Sequence, residues 1–454
     1  RFPDINTTEP EVLAHHLTAA GRAEAAIPRW QRAGELALKR MALTEAIAHL
    51  NQGLDLVATL PRSPERDASE LELRSRLGTA WQALKGSAAP EVWTTLHPAL
   101  ALAKSLERHD ALAQILSGLC GNVLNQGRVA ESLRWAKEML RLAEAIGDAD
   151  LLITGHCASC NGFTWAGEFT KAVEHADKVL DLYDDEKHRH LADVINNDPK
   201  TLAGIFGSMS TWILGYRDKA WRLSNETGAH ARQRGHPFDL GFALTRGAHG
   251  FDRRFDHEDL RKRADECERL GRENSLPVLW AGMAPITRGL ALIREGKPAD
   301  AIAPLKAGIA FREAIGAKVR GPTFNAFLAE AMALTGDIDN ALQLLDQQIA
   351  QIERPGWEER LCYAEILRLK GWMLSLTSDL AGAERNFLAS LTWARRQQAK
   401  SWELRTSTSL ARLWQSQGKC QDAYELLAPV YSWFTEGFDT RDLQDAKSLL
   451  AELA

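Results

Sequence analysis

The stretch that decides the fold runs from Arg360 to Gln398 and reads RLCYAEILRLKGWMLSLTSDLAGAERNFLASLTWARRQQ. A short polar break at 377–379 divides it into two segments. Apolar residues recur at helical spacing on both sides of the break, which predicts two amphipathic helices joined by a tight turn. These residues are Leu361, Ile366, Leu369, Trp372, Met373, Leu380, Ala383, Phe387 and Leu391. The stretch therefore predicts an αα-hairpin.

Two small residues mark the place where the helices of this hairpin are expected to cross. Gly371 in the first helix and Ala383 in the second would let the two backbones approach closely. The order of Gly371, Ser378 at the turn, Ala383 five residues later and then Phe387 resembles the tetratricopeptide pattern of small residue, turn, alanine and aromatic residue. This resemblance implies a solenoid in which each hairpin packs on its neighbours.

The same register of small residues recurs along the chain at intervals of about 40 residues. In the second helix of successive hairpins, a small residue lies five residues after the turn: Ser132, Ala172, Ala220, Ala301, Ala341, Ala383 and Ala423. The partner position in the first helix is also small: Gly34, Cys120, Cys160, Ser208, Gly289, Ala329, Gly371 and Ala411. One unit, between Ala220 and Ala301, is degenerate, with Leu260 and Ala248 at its two sites.

We therefore predict an all-α, right-handed superhelical solenoid of tetratricopeptide-like antiparallel helix hairpins of about 40 residues. The predicted order is N-terminal helices continuing from an upstream domain at 1–62, hairpins at 63–183, an inserted charged loop at 184–200, hairpins at 201–437 and a C-terminal capping helix at 438–454. The first helices are expected at 11–20, 23–41 and 44–60, with Thr44 as an N-cap. The helix at 11–20 has no partner, so we expect it to complete a repeat that starts upstream of Arg1.

Composition bounds the class of protein. Hydrophobic residues make up 45 % of the 454 residues and charged residues 25 %, and no apolar run approaches the ~20 residues that span a bilayer. The net charge of −5 gives no overall attraction to nucleic acid. Six cysteines lie mostly on apolar helical faces, and a chain of this size needs no disulfide framework. These features predict a cytoplasmic protein that binds neither membrane nor nucleic acid.

Several strings extend the resemblance beyond a generic repeat. HHLTAAG at 15–21, AIPRWQRAG at 26–34 and EAIAHL at 45–50 resemble the segment that follows the ATPase module in bacterial class III adenylate/guanylate cyclase-like proteins. HPFDLGFAL at 236–244 and AEILRLKG at 364–371 resemble later parts of the same tail. The resemblance implies a signalling protein whose cyclase domain and P-loop ATPase domain lie upstream. The family's catalytic residues have no corresponding positions in this chain.

Three candidate chemical motifs are weak. A P-loop is not supported, because Gly296-Lys297 is followed by Pro298 instead of Ser or Thr. Cys157 and Cys160 have a metal-like or redox-like spacing, but a structural zinc would need two further ligands, so buried structural cysteines are the favoured interpretation. The His188-Arg189-His190 run in the insertion is more typical of a solvated turn than of a ligand set. We predict no catalytic residue, no metal and no cofactor in this chain.

Binding is the better-supported hypothesis, since stacked hairpins present their first helices along a concave face. The first-helix residues expected to point inward are Asn161, Trp165, Trp212, Arg246, His249, Arg253, Arg294, Arg368, Trp372, Arg405 and Arg412. Arginines interspersed with tryptophans could hold an acidic peptide through charge-assisted hydrogen bonds and stacking. The alternative is that the arginines form a solvated face and the tryptophans fill the packing between repeats.

The sequence thus predicts a non-catalytic scaffold or sensor region that binds a protein or peptide, or the upstream domains of the same polypeptide. A second hypothesis is that the solenoid binds a small effector and regulates an upstream nucleotide-dependent catalytic domain. A third is an enzyme site that the motifs do not reveal. A protein partner predicts a long open groove, whereas a small effector predicts one deep pocket lined by aromatic residues.

Overall fold

The computed structural model describes residues 9–40, 42–195, 197–247, 251 and 256–454, apart from the side chains at 193 and 194. The first ten α-helices are α1 (Pro10–Ala19), α2 (Ala23–Lys39), α3 (Leu43–Thr59), α4 (Pro64–Lys85), α5 (Pro90–Ser105), α6 (Leu112–Asn125), α7 (Val129–Ile146), α8 (Ala149–Ala166), α9 (Phe169–Leu182) and α10 (Leu191–Ile195). The later helices are α11 (Pro199–Ile213), α12 (Arg217–Arg234), α13 (Pro237–Thr245), α14 (His257–Glu273), α15 (Ala284–Arg294), α16 (Pro298–Ala314), α17 (Gly321–Leu334), α18 (Ile338–Glu353), α19 (Tyr363–Leu376), α20 (Leu380–Arg396), α21 (Lys400–Ser416), α22 (Cys420–Ser432) and α23 (Arg441–Leu453).

The described chain is all α, with a 3₁₀ turn at His109–Ala111 and a π-helical segment at Val278–Met283. Consecutive helices form hairpins that pack on their neighbours, which confirms the predicted α-solenoid class. The handedness of the superhelix stays a prediction. None of the described helices is both long enough and apolar enough to cross a bilayer.

Helix ends agree closely with the sequence pattern at the N-terminus, with one correction. Helices α1 to α3 occupy the three predicted segments, and Gly21 follows α1 in a left-handed conformation with φ of +70°. The predicted N-cap Thr44 is wrong, because α3 begins one residue earlier and Ala42 occupies the cap without a side-chain hydrogen bond. The predicted capping helix is α23, whose Leu443, Ala446 and Leu449 are buried.

In seven of the described hairpins the turn contains a residue with positive φ, which explains the recurring glycine. Gly167, between α8 and α9, has φ of +77°, where a residue without Cβ is favoured. Its N–H donates to the Thr164 carbonyl at 3.2 Å, and the N–H of Glu168 donates to the Phe163 carbonyl at 2.9 Å. This is a Schellman motif, which satisfies the last carbonyls of the first helix. The other turn residues also have positive φ: Gly127, Gly215, Gly296, Gly336, Ser378 and Gly418.

The small residues lie where helices approach each other. A Cβ added at Gly371 would come within 2.8 Å of the Phe387 ring and 3.1 Å of the Ala383 carbonyl oxygen. A Cβ added at Gly289 would come within 2.5 Å of Leu305. All fourteen residues of the predicted helix-crossing set are buried: Gly34, Cys120, Cys160, Ser208, Gly289, Ala329, Gly371, Ala411, Ala172, Ala220, Ala301, Ala341, Ala383 and Ala423. Leu260 is also buried, whereas Ala248 lies outside the described residues.

The chain divides into two compact units. Unit 1 comprises Arg1–Gln126, Arg134–Gly155 and Ile315–Ala317, and unit 2 comprises Gly127–Leu133, His156–Ala314 and Lys318–Ala454. The core of unit 1 is built where helices α2 to α4 pack in sequence. Its buried residues include Ile27, Leu50, Val57, Leu73, Leu77 and Ala80.

Unit 2 is closed by contacts between its early and its late hairpins. Such contacts are not expected in a solenoid in which each hairpin packs only on its neighbours in the chain. The backbone N–H of Arg360 donates to the Trp165 carbonyl at 2.7 Å. The Ser401 hydroxyl donates to the Trp212 carbonyl at 2.6 Å. Turn glycines pack in the same way, with Gly127 against Trp357 (127 to 357) and Gly167 against Gln397 (167 to 397), a spacing of 230 residues in both cases. Early turns of unit 2 therefore rest on loops that lie 230 residues later in the chain.

The inserted segment at 184–200 is anchored at its C-terminal end by Asp198. The buried Asp198 carboxylate caps α11, accepting from the Thr201 N–H at 2.9 Å. It also accepts from the Tyr183 hydroxyl at 2.7 Å and lies 2.8 Å from His230 Nε2. Burial opposes ionisation of Asp198, but these hydrogen bonds outweigh it and lower its pKa. The insertion is therefore fixed by a buried hydrogen-bond network at the start of α11.

Candidate partner-binding groove

Five helices of unit 2 surround a groove of 540 Å³. Helices α17, α19, α20, α21 and α23 contribute its walls, so the first helices of three successive hairpins lie side by side. The lining residues are Glu330, Leu334, Arg368, Leu369, Trp372, Ser375, Leu380, Phe387, Arg405, Thr408, Ser409, Arg412, Leu413, Ser416, Asp442 and Asp445. Leu334 is 47 % exposed and Leu380 is 39 % exposed, so apolar side chains stand open to solvent at the groove. The groove combines an apolar surface with charged groups.

Four residues predicted to point inward meet in this groove: Arg368, Trp372, Arg405 and Arg412. Arg368 and Trp372 are one turn apart on α19, and Arg405 and Arg412 are two turns apart on α21. Helical spacing places each pair on one face, and packing of α19 beside α21 brings the two faces together.

Two of these arginines are neutralised inside the protein. Arg368 donates to Glu365 at 2.8 Å, and Arg405 donates to Asp442 at 3.0 Å and lies 3.4 Å from Glu365. The Arg368 and Arg405 side chains are 12 % and 10 % exposed. Burial alone would lower the pKa of Arg405, but the charges of Asp442 and Glu365 outweigh it and raise that pKa. The expectation that Arg368 and Arg405 are available to an acidic peptide is therefore corrected.

Trp212 is a structural residue rather than a contact for a partner. It is fully buried, and its ring centroid lies 5.1 Å from that of Trp402. The guanidinium groups of Arg217 and Arg405 lie over the Trp212 ring at 5.1 and 5.0 Å. Arg217 is itself fully buried and pairs with Asp442 at 3.0 Å. Trp212 is thus enclosed by cations that share one carboxylate, at the place where early and late hairpins of unit 2 meet.

Trp165 and Asn161 belong to the same closure and do not reach the groove. Trp165 is 1 % exposed and packs edge-to-face on Phe206 at 5.9 Å. Its indole N–H donates to the Asn161 side-chain oxygen at 2.6 Å, and its carbonyl accepts from Arg360. These contacts fit the alternative in which the tryptophans fill the packing between repeats. The prediction that Asn161 and Trp165 contact a partner is therefore corrected.

The other predicted concave residues are separate from the groove. Arg246 is 9 % exposed and lies 4.0 Å over the Phe242 ring. Arg294 is partly exposed at the end of α15 and is not among the groove residues. His249 and Arg253 lie outside the described residues.

Of the three groove arginines, Arg412 is the exposed one, and it makes no ion pair with the described residues. Across the whole groove, Arg368, Arg405 and Arg412 are balanced by Glu330, Asp442 and Asp445. The surface is therefore of mixed charge and not the basic stripe that the sequence predicts. Asp442 and Arg217 were missed by sequence reasoning, and their positions beside predicted turns give no signal of a pairing over 225 residues.

The cysteine pair on α8 has a packing role. Cys160 is fully buried, and Cys157 lies 3.8 Å from the Pro199 carbonyl. Burial raises the pKa of the Cys160 thiol, which disfavours the thiolate that metal binding requires. Within the part of the chain that the structure describes, no group of three or more His, Cys, Asp or Glu side chains is placed to hold a metal ion. His188 and His190 lie on the exposed insertion, where each bonds to a local backbone group.

His156 and His175 form a second polar feature of this region, with their Nδ1 atoms 2.8 Å apart. Burial lowers the pKa of each imidazole to about 4 from an ordinary value of 6.5. Stability from the neutral pair is present above pH 6.5 and is lost as pH falls from 6.5 through 4. We expect acidification from pH 7 to 5 to cost about 1–2 kcal/mol through this pair, since solvent screens the partly exposed His175.

Urea unfolding at both pH values measures this loss, with His175→Gln as the variant. The glutamine does not titrate, so the variant should lose less stability on acidification than the parent does. An equal loss in both proteins would contradict the assignment of acid sensitivity to the histidine pair.

Comparison with protein-family models gives no match, and no curated protein matches the chain. Among solved structures, the chain is similar to a Rap protein complexed with competence and sporulation factor, at 12 % identity and a TM-score of 0.44, covering 95 % of this chain and 100 % of that chain. It is similar to the apo form of RapI at 12 % identity and a TM-score of 0.44, covering 71 % and 96 %. It is also similar to the APC/C hetero-tetramer Cut9-Hcn1 at 11 % identity and a TM-score of 0.48, covering 98 % and 83 %. At such identities and TM-scores these likenesses carry no argument about a ligand or an activity.

Proposed function

We propose that this chain is a non-catalytic helical-repeat scaffold that binds a protein segment in the groove between α17, α19, α20, α21 and α23. The observation that carries the proposal is the combination of exposed Leu334 and Leu380 with Trp372 and the exposed Arg412 in one concave surface. Apolar anchors beside charged groups are the composition that protein partners use at interfaces. The mixed charge favours an amphipathic segment with both acidic and basic residues over a purely acidic one.

The partner we propose is the catalytic part of a bacterial signalling protein, a class III cyclase with a P-loop ATPase, encoded upstream in the same polypeptide. The strings at 15–21, 26–34 and 45–50 support this context. The coding sequence upstream of Arg1 tests it directly: an ATPase module is expected there. A different upstream domain would contradict this identity of the partner. It would not contradict the groove as a binding surface, which the next experiment tests.

Two groove substitutions test the binding surface on the intact chain. Trp372→Ala and Arg412→Glu should each weaken association with the separately purified upstream module by about tenfold or more, because each changes a side chain that lines the groove. Trp221→Ala is the matched control, since Trp221 is 43 % exposed and is not a groove residue. Titration calorimetry gives the affinities, and thermal melts confirm that the variants remain folded.

The expected pattern is loss of affinity in both groove variants and none in the control. Equal affinities for the parent and both groove variants would contradict the assignment of the groove as the binding surface. Purified chain that hydrolyses nucleotide or forms a cyclic nucleotide above background would contradict a non-catalytic role.

A small effector is the second candidate for the same groove. A volume of 540 Å³ lies within the range of small-molecule sites, which is about 300–1,000 Å³. An effector would bind to the isolated chain and change the output of the upstream module without requiring contact between that module and Arg412.

A further inference from the structure

Three arginines come together in the interior of unit 2, and none of them lines the groove. Arg246 follows α13, Arg312 lies in the last turn of α16, and Arg320 precedes α17. They are 9 %, 3 % and 2 % exposed. Buried arginines are rare unless they are paired, so a concentration of three requires a physical explanation.

Aromatic rings hold these guanidinium groups in place. Arg246 lies 4.0 Å over the Phe242 ring, while Arg312 and Arg320 lie 5.2 and 4.8 Å from the ring of Phe324. Phe242 packs against the hydrophobic cluster that contains Phe324. Cation–π contacts orient the planar groups, but they offset only part of the cost of removing a charge from water.

The hydrogen-bonding capacity of the cluster is not used up by the described residues. The buried Nε and Nη1 of Arg320 and the buried Nε of Arg246 have no hydrogen-bond partner among these residues. Arg312 donates to the Val319 carbonyl at 3.0 Å and lies 3.8 Å from the Met283 sulfur. Buried donors without acceptors are costly, and acceptors supplied by a ligand would satisfy them.

Among the described residues, the Glu359 carboxylate lies near the cluster, and its oxygens are directed to the backbone. Glu359 is 2 % exposed, and both of its oxygens accept from the Arg320 backbone N–H at 3.1 Å. Among the described residues, three arginines lie against one glutamate, which is an excess of positive charge in the interior. Burial, together with repulsion from Arg320, lowers the pKa of Arg312 to about 10, and burial lowers that of Arg320 to about 10. Burial and the other two arginines lower the pKa of Arg246 far more.

We propose that Arg246, Arg312 and Arg320 form a binding site for a doubly charged oxyanion, either a phosphate group or a dicarboxylate. Planar guanidinium groups match the geometry of both, and a dianion neutralises the excess charge of three arginines over one glutamate. Arg246 is the most exposed of the three. The site stands independently of the groove, because it shares none of the groove residues.

Binding of inorganic phosphate and of succinate to the full chain tests the site, with sodium chloride added to hold ionic strength constant. Saturable binding of at least one anion is expected by calorimetry, with a rise in melting temperature. Arg246→Met should weaken that binding by about tenfold or more, since it removes charge-assisted hydrogen bonds. It should also raise the melting temperature in anion-free buffer, because it removes the repulsion between Arg246 and the other two buried arginines. Loss of an arginine with only a structural role would not raise the melting temperature.

Arg288→Met is the matched control, because Arg288 is paired with Asp265 and Glu268 at the surface and should leave anion binding unchanged. Phosphate binding alone indicates a phosphorylated ligand, and succinate binding alone indicates a carboxylic acid. Absence of binding by both anions would overturn the proposal, as would an Arg246→Met variant that binds as tightly as the parent. Should that variant fail to fold, Arg246→Lys keeps the charge but loses the planar fork, and unchanged affinity in it would equally overturn the site.

Discussion

Replacing Asp442 with asparagine is expected to lower the free energy of unfolding by about 3–5 kcal/mol. The Asp442 carboxylate is the shared partner of Arg217 and Arg405, both at 3.0 Å. The substitution keeps the size of the side chain but leaves two buried guanidinium groups without this charge, and an uncompensated buried charge is among the most costly changes a protein can undergo. Urea unfolding followed by tryptophan fluorescence measures the effect.

Asp445→Asn is the control for this substitution. Asp445 lies one turn later on α23, is 38 % exposed and is 3.9 Å from Arg441. An exposed pair of this kind contributes little, so the control should change stability by no more than about 0.5 kcal/mol. Similar losses in both variants would contradict the assignment of Asp442 as the residue that closes unit 2. A double-mutant cycle with Arg217→Met should show coupling, since the two residues share one ion pair.

Gly371→Leu is expected to cost on the order of 1–3 kcal/mol or more through overpacking. An added Cβ alone would come within 2.8 Å of the Phe387 ring and 3.1 Å of a backbone oxygen, so α19 and α20 would have to separate. A Cβ added at Gly228, in the interior of α12, meets nothing within 4 Å. Because glycine weakens a helix, Gly228→Leu should be neutral or stabilising by up to about 1 kcal/mol.

Thermal and urea unfolding measure the stability of the two variants, which carry the same substitution at a helix crossing and at an uncrowded helix position. A loss at Gly371 with none at Gly228 supports the crossing register of small residues. If Gly228→Leu destabilises as much as Gly371→Leu does, steric crowding at the crossing is not the cause.

The fold was predictable because its determinants are local. Apolar spacing on both sides of residue 378, positive-φ turn residues and small residues twelve positions apart repeat along the chain, and each is visible within one hairpin. A helix near 441–453 was predictable for the same reason, since Leu443, Ala446 and Leu449 form one apolar face, whereas its capping role stays a prediction.

The closure of unit 2 could not be read from the sequence. Helical periodicity shows which face of α11 carries Trp212, but it does not show what covers that face. The covering residues are Trp402 and Arg405, about 190 residues later. An inward-facing arginine and an inward-facing tryptophan therefore looked like a binding surface, whereas at Trp165, Trp212 and Arg405 they are the packing between early and late hairpins.

The groove was predictable in part. Arg368 with Trp372, and Arg405 with Arg412, follow from helical spacing on two first helices. Their electrostatic state depends on Glu365 and Asp442, of which the second lies in a helix assigned only a capping role. This is why the predicted basic stripe is in fact a surface of balanced charge in which Arg412 is the exposed cation.

Hydrogen–deuterium exchange of the chain, alone and with the purified upstream module, tests the proposed role of the groove most directly. The account predicts slower exchange in α19 and α21, within 363–376 and 400–416, because their groove faces become covered by the partner. Helices α1 to α3, at 10–59, should exchange at the same rate in both samples. Protection of α1 to α3 with no change in α19 and α21 would contradict the groove as the partner-binding surface.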